Sequence, residues 1–383
     1  MNIVDYLHEY GNISLKESSF NEVDNLVICQ MGYSRIDKYF NDKDSYTIAE
    51  LNKLYFKDHS ENQVQYDASF IGHAPFVLKA MAESERFKNA RVINFKSIID
   101  EEKPEQYCSF EVELDDGTSY IAFRGTDDTL IGWKESFELM YKEIAGETQA
   151  LNYLKNIYNP NKKYRIGGHS KGGALASFSA IMFPEMHDNI INVYSNDGVG
   201  LNPKILPKNY HDNFKTLKGK FIKIIPESDF FGALFSNPRK KRVIKANGVA
   251  LMQHDPMNWQ VQDNHFISGT LNKETVLVRD VFENFINNVS DNEFKQFIDG
   301  LNETLAKEGL YKINGITKGM IPAIIAGLKS IKTMSPSSKK VINELINALS
   351  KTVEQKLEDD KKFIKREIFN IKQWTIFKNK RSK

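Results

Sequence analysis

A short stretch, Gly168-His169-Ser170-Lys171-Gly172, has the residue types and spacing of a nucleophile set on a sharp strand-to-helix turn. The serine hydroxyl would attack a carbonyl carbon, and the glycines on either side remove Cβ atoms that would clash where strand and helix pass closest. Gly173, Ala174 and Ala176 keep the first helical turn slim, so its amides can face a developing oxyanion. Alone the pentapeptide is a weak signal, because average Gly and Ser usage yields on the order of 0.1 chance occurrences in a chain this long. The bland alternatives are an ordinary glycine-rich turn or a phosphate-cradling loop, and the Gly-x-x-x-x-Gly-Lys-Ser/Thr spacing of a nucleotide loop is missing. Partner residues therefore decide.

A serine is a poor nucleophile at neutral pH and needs a histidine base, which in turn needs a carboxylate to fix its tautomer. A Gly-x-Ser-x-Gly elbow is the pattern of α/β-hydrolases, in which acid and then base follow the serine along the chain. Asp229 closes an apolar run after the turn Pro226-Glu227-Ser228 and is the preferred acid, with Asp197, one strand earlier, as its rival. His254, followed by Asp255-Pro256, is the preferred base over His265. His169 must point away from Ser170 and reads as a supporting or packing residue, while His8, His59, His73, His187 and His211 show no metal spacing. The oxyanion needs two donors: the backbone of Lys171 offers one, and Thr126, after the tight turn allowed by Gly125, offers another through its amide and hydroxyl.

These residues need a scaffold of strands that end on one rim. Residues 1 to about 90 have mixed helical spacing and predict a mainly helical segment that packs on a sheet. Strands are predicted over Arg91–Phe95, Tyr107–Leu114 and Ser119–Phe123, the last two joined by the hairpin signal Asp115-Asp116-Gly117. Helices fit Trp133–Gln149 and Glu147–Tyr158, and further strands fit Asn189–Gly198 and Gly219–Asp229. That alternation predicts an α/β fold with a mostly parallel central sheet, whose ligands bind beyond the carboxyl ends of the strands. Residues 1–271 then form the catalytic domain. From Asn272 the pattern is helical to the end, which predicts a C-terminal helical region over 272–383, with Ser335-Pro336 starting its last long helix. Trp133–Tyr141 could cover the site, although a packing helix is the simpler reading. The charge run Glu358–Lys362 reads as a solvated face, and the basic tail Lys378–Lys383 as a frayed end open to a weak anionic membrane contact.

Composition narrows the class. Lys plus Arg number 52 against 50 for Asp plus Glu, so there is no global field to attract nucleic acid. Hydrophobic residues make up 41% and charged residues 27%, as in soluble globular proteins. The two cysteines, Cys29 and Cys108, suit buried free thiols in a reducing compartment better than a bridge. No signal-like leader opens the chain, and the apolar segment Gly319–Leu328 falls far short of the roughly 20 residues that span a bilayer. A cytoplasmic protein is the expectation, with leaderless export as the alternative.

With these residues assembled, the chain resembles the class 3 lipases in Phe123-Arg124-Gly125-Thr126, Gly168-His169-Ser170-Lys171-Gly172, Asp229 and His254. It is more closely similar to the bacterial family of lipase-like hydrolases called Mbeg-like, through Asp5-Tyr6-Leu7, Phe20-Asn21-Glu22-Val23-Asp24, Gly125–Thr129, Gly132-Trp133-Lys134-Glu135, Gly168–Gly173 and His254-Asp255-Pro256. The resemblance covers roughly residues 1 to 270 and implies an α/β-hydrolase fold, a triad of Ser170, Asp229 and His254, and no cofactor. Lysine after the nucleophile departs from many class 3 lipases. The expected activity is serine-dependent hydrolysis of a lipid or other small-molecule acyl ester. An acyltransferase or thioesterase with the same residues is the first alternative, and a partner- or membrane-binding protein with a secondary hydrolase domain is the second.

Overall fold

The structure is a computed structural model that describes residues 1–41, 43–67, 71–100, 105–127, 130–235, 241–248, 250–308, 324–332 and 335–350. The run Glu358–Lys362, the tail Lys378–Lys383 and part of the apolar segment Gly319–Leu328 lie outside them. Eight strands form one sheet in sequence order: β1 (Ser45–Thr47), β2 (Arg91–Asp100), β3 (Glu105–Glu113), β4 (Ser119–Phe123), β5 (Tyr164–His169), β6 (Ile190–Asn196), β7 (Phe221–Pro226) and β8 (Lys241–Ile244). Neighbours from β1 to β4 pair antiparallel, and those from β4 to β8 pair parallel. A small hairpin, β9 (Val261–Gln262) with β10 (His265–Phe266), follows.

Strand order that equals sequence order puts the crossovers of the parallel half on one face, because such connections share one hand. Helices α6 (Leu130–Glu138), α7 (Ala145–Ile157), α8 (Lys171–Ile181) and α9 (Tyr210–Leu217) occupy these crossovers. Residues of α7, α8 and α9 share an apolar cluster with Ile121, Phe123, Ile166 and Val193 of the sheet. The opposite face would lie open without the N-terminal segment. Helices α1 (Ile3–Tyr10), α2 (Glu22–Met31), α3 (Ile48–Asp58), α4 (Glu61–Gln65) and α5 (Ala74–Glu83) fill it, burying Val27, Leu51 and Leu78 with Phe110, Val112 and Tyr120. Asn2, Asn21, Thr47 and Ser60 cap α1 to α4 with reciprocal capping boxes, which explains how so polar a stretch starts its helices where it does.

Of the two helices expected over Trp133–Gln149 and Glu147–Tyr158, the first is shorter and the second begins at Ala145. α6 stops at Glu138, and α7 restarts where Glu147 accepts from the Ile144 amide. After Phe266 no strand follows among the described residues; α10 (Lys273–Asn288), α11 (Asp291–Glu308) and helical residues 324–329 and 336–350 complete the fold. Pro336 takes the first helical position of the last helix, and the Ser335 hydroxyl accepts from the Ser338 amide. These helices share one core with the sheet domain, in which Phe282, Phe285, Phe297 and Leu301 pack on Phe137, Met140, Phe230 and Leu234. No described helix is long and apolar enough to cross a membrane.

Candidate active site

Four consecutive parallel strands deliver their carboxyl ends to one rim. Thr126 follows β4, Ser170 follows β5, Asp197 follows β6 and Asp229 follows β7. Ser170 has φ 57° and ψ −129°, a conformation that L residues adopt only under constraint. The constraint is close packing: a Cβ at Gly172 would collide with the Phe123 carbonyl oxygen, and one at Gly168 with the Gly172 backbone. Strand β5 and helix α8 can therefore meet at this angle only with glycine at both positions.

The serine Oγ lies 2.9 Å from His254 Nε2. On the other side of the ring, His254 Nδ1 stands 2.7 Å from Asp197 Oδ2 and 2.7 Å from Asp229 Oδ2. The contact with Asp197 has the alignment of a hydrogen bond, and the amide of Phe231 donates to Asp229 Oδ1 at 2.8 Å. Both rival acids thus reach the same nitrogen, because β6 and β7 are sheet neighbours. His265 does not reach it: it sits exposed on β10, opposite Gln262.

The loop that carries His254 is held from several directions. Gln253 accepts from the Ser228 amide at 2.7 Å, tying the loop to the turn before Asp229, and donates to the Ala246 carbonyl at 2.9 Å. His169 is fully buried, and burial holds its imidazole well below the usual range. A neutral ring with its proton on Nε2 donates to the His254 carbonyl at 2.9 Å while Nδ1 faces the Tyr33 hydroxyl at 3.2 Å. Tyr33 also accepts from the Gly125 amide at 3.1 Å, so one phenol links the Thr126 loop to the elbow. The sequence offers no signal for Tyr33, whose role comes from α2 packing on β5.

Burial opposes charge on His254, but the carboxylates outweigh it and raise the imidazole to about 10. Asp197 is raised well above the carboxylate range by burial and then by Asp229, whereas Asp229 is lowered, since His254 overcomes its burial. These three side chains are also the described residues' only close cluster of metal-ligating groups.

Thr126 lines the cavity beside Ser170. Its hydroxyl, expected with the amide to face the oxyanion, instead bonds Ser136 Oγ and the Gly132 carbonyl. Lys171 stands at the first position of α8, where an amide has no acceptor within the helix. Its side chain turns away and is wholly buried, with Nζ 2.7 Å from Glu135 Oε2 and 2.6 Å from both the carbonyl and Oε1 of Gln106. Burial pulls the amine down and Glu135 opposes that fall. The cavity at Ser170 holds about 30 Å³, room for about two waters, and Phe137, Leu139, Met140, Val199 and Phe231 wall it. A larger cavity of about 850 Å³, beside Phe40, Phe95 and Arg124, includes neither Ser170 nor His254.

A family model described as Mbeg1-like matches residues 81–303. No curated protein matches the chain. Among solved structures, lipase II from Rhizopus niveus is similar at 15% identity and a TM-score of 0.35, over 58% of this chain and 78% of that one. The Rhizomucor miehei lipase propeptide complex is similar at 14% identity and a TM-score of 0.33, over 47% and 71%. The lipase from Rhizopus microsporus var. chinensis is similar at 13% identity and a TM-score of 0.34, over 50% and 78%.

Proposed function

The chain belongs to the Mbeg1-like family, and from that premise we propose that it is a serine hydrolase of carboxylic esters, acting on a lipid or other acyl ester through an acyl-Ser170 intermediate. The observation that carries the reading is the relay at the rim, with Ser170 Oγ 2.9 Å from His254 Nε2 and buried carboxylates 2.7 Å behind Nδ1. His254 takes the hydroxyl proton as Oγ attacks the ester carbonyl, and the amides of Lys171 and Thr126 receive the charge that develops on oxygen. The imidazolium returns the proton to the departing alkoxide. Water then attacks the acyl-enzyme by the same route in reverse, which restores Ser170. The apolar walls Phe137, Met140 and Phe231 suit a hydrocarbon acyl chain, for which they must part.

A fluorophosphonate probe tests the assignment. It should label the wild-type protein at Ser170, mapped by peptide mass spectrometry, and leave Ser170→Ala unlabelled; an unlabelled wild type would sink the reading. The pH dependence has a defined sign. Only the neutral imidazole can accept the serine proton, and the carboxylates hold the ring protonated up to about 10. The kcat/KM for an ester should therefore climb between pH 7 and 10, and a profile flat across that interval contradicts this role for His254.

A further inference from the structure

An imidazole Nδ1 has one proton to donate, yet here two fully buried carboxylates stand at the same 2.7 Å from it. The donor atoms of Asp197, Asp229 and His254 all lie within 4.8 Å of one another. Two ionised carboxylates this close and out of water repel strongly, and such pairs commonly retain one proton between them. The hydrogen bonding here leaves places for that proton. Asp197 Oδ1 and Asp229 Oδ2 are both buried, and neither has an aligned hydrogen bond from a described group, although Asp229 Oδ2 stands 2.7 Å from Nδ1.

The backbone brings the two acids together by particular means. Asp197 has φ 49°, in the left-handed region, and its amide donates to the Ile224 carbonyl of β7 at 2.8 Å. Gly232 lets the turn after Asp229 close on it, since a Cβ there would collide with Asp197 Oδ1. The roles are divided in a telling way. The Nδ1 contact is aligned on Asp197, while the Phe231 amide favours charge on Asp229.

Resting on the reading of Ser170 and His254 as nucleophile and base, we propose that Asp197 and Asp229 hold one proton between them and act as interchangeable positioning residues for His254. The opposite shifts of the two acids, Asp197 upward and Asp229 downward, agree with a neutral Asp197 beside an ionised Asp229. Loss of either carboxylate leaves the other as a single negative partner: without Asp229, Asp197 releases its proton and takes over. The other titratable groups nearby do not supply that charge. Lys223 of β7 is a neighbour of Asp197, donates to the Gly198 carbonyl at 2.6 Å and is pulled by burial to about 7. His169 is held neutral by burial, and burial raises Asp255 to about 6 while its carboxylate accepts from the Met257 amide at 2.9 Å.

The test uses the full chain as wild type, Asp197→Asn, Asp229→Asn and the double variant, with thermal melts to establish that each is folded. Ester turnover should fall by about 10⁴-fold in the double variant and by far less in either single variant. Independently of turnover, ¹⁵N NMR of the His254 ring should give the same elevated titration in wild type and both single variants, and a fall of more than one pH unit only in the double. A single variant whose turnover or His254 titration matches the double overturns the proposal, because one acid then acts alone. A clear drop in His254 titration in both single variants also overturns it, because both acids are then ionised. If the wild type neither labels with fluorophosphonate nor hydrolyses esters, the hydrolase reading fails, and the NMR titrations still decide the shared proton.

Discussion

Replacement of Ser170 by alanine is expected to lower kcat for short p-nitrophenyl esters by roughly 10⁴- to 10⁶-fold, with little change in stability. The size follows from the loss of the covalent route: without Oγ the site has no acyl-enzyme, and only binding and the oxyanion amides remain to assist direct attack by water. Stability should change little because alanine meets the same left-handed backbone demand at φ 57° that serine already meets. His254→Ala should cost about as much, and the double variant little more, since residues of one relay are not additive. Turnover by Ser170→Ala within tenfold of wild type would remove the serine from the chemistry.

The second large effect is expected on stability. Lys171→Met should destabilise the fold by roughly 3–5 kcal/mol, because it leaves the Glu135 carboxyl, 2% exposed, buried without its cationic partner. Glu135 Oε2 would keep the Gln106 amide at 3.2 Å, and the carbonyl and Oε1 of Gln106 would lose the Lys171 amine. The proposed oxyanion donor at position 171 is the backbone amide, which methionine retains. Replacing both partners, as Lys171→Met with Glu135→Leu, should recover most of the loss, since an apolar pair of similar volume avoids the desolvation of two charges. Urea midpoints measure both arms; a Lys171→Met midpoint equal to wild type would show that the buried pair contributes nothing net.

What the sequence disclosed and what it withheld divide along a physical line. The elbow was legible because five consecutive residues carry it: a Cβ at 168 would meet the Gly172 backbone, and one at 172 the end of β4 at Phe123. The parallel strands were legible from apolar runs that alternate with helices. The relation between Asp197 and Asp229 was not, because each ends an apolar run and only the pairing of β6 with β7 brings the two ends to one nitrogen. Lys171 was likewise opaque, since a lysine in sequence looks solvated until Glu135 and Gln106, on other elements, enclose it. Strand β8 escaped notice because Lys241-Arg242-Val243-Ile244 is half polar, as suits a sheet edge. Helical periodicity identified α10 and α11 as amphipathic, but an apolar stripe says that a face is covered and not by what.

The aromatic side chains Phe137 and Phe231 belong at once to the wall of the small chamber and to the cluster that anchors α10 and α11. A chain shortened before Lys273 would lose more than an accessory: it would strip the outer half from an oily layer whose inner half faces Ser170. Because the two side chains belong to both, a change that loosens the distal helices is expected to alter the room beside Ser170 as well.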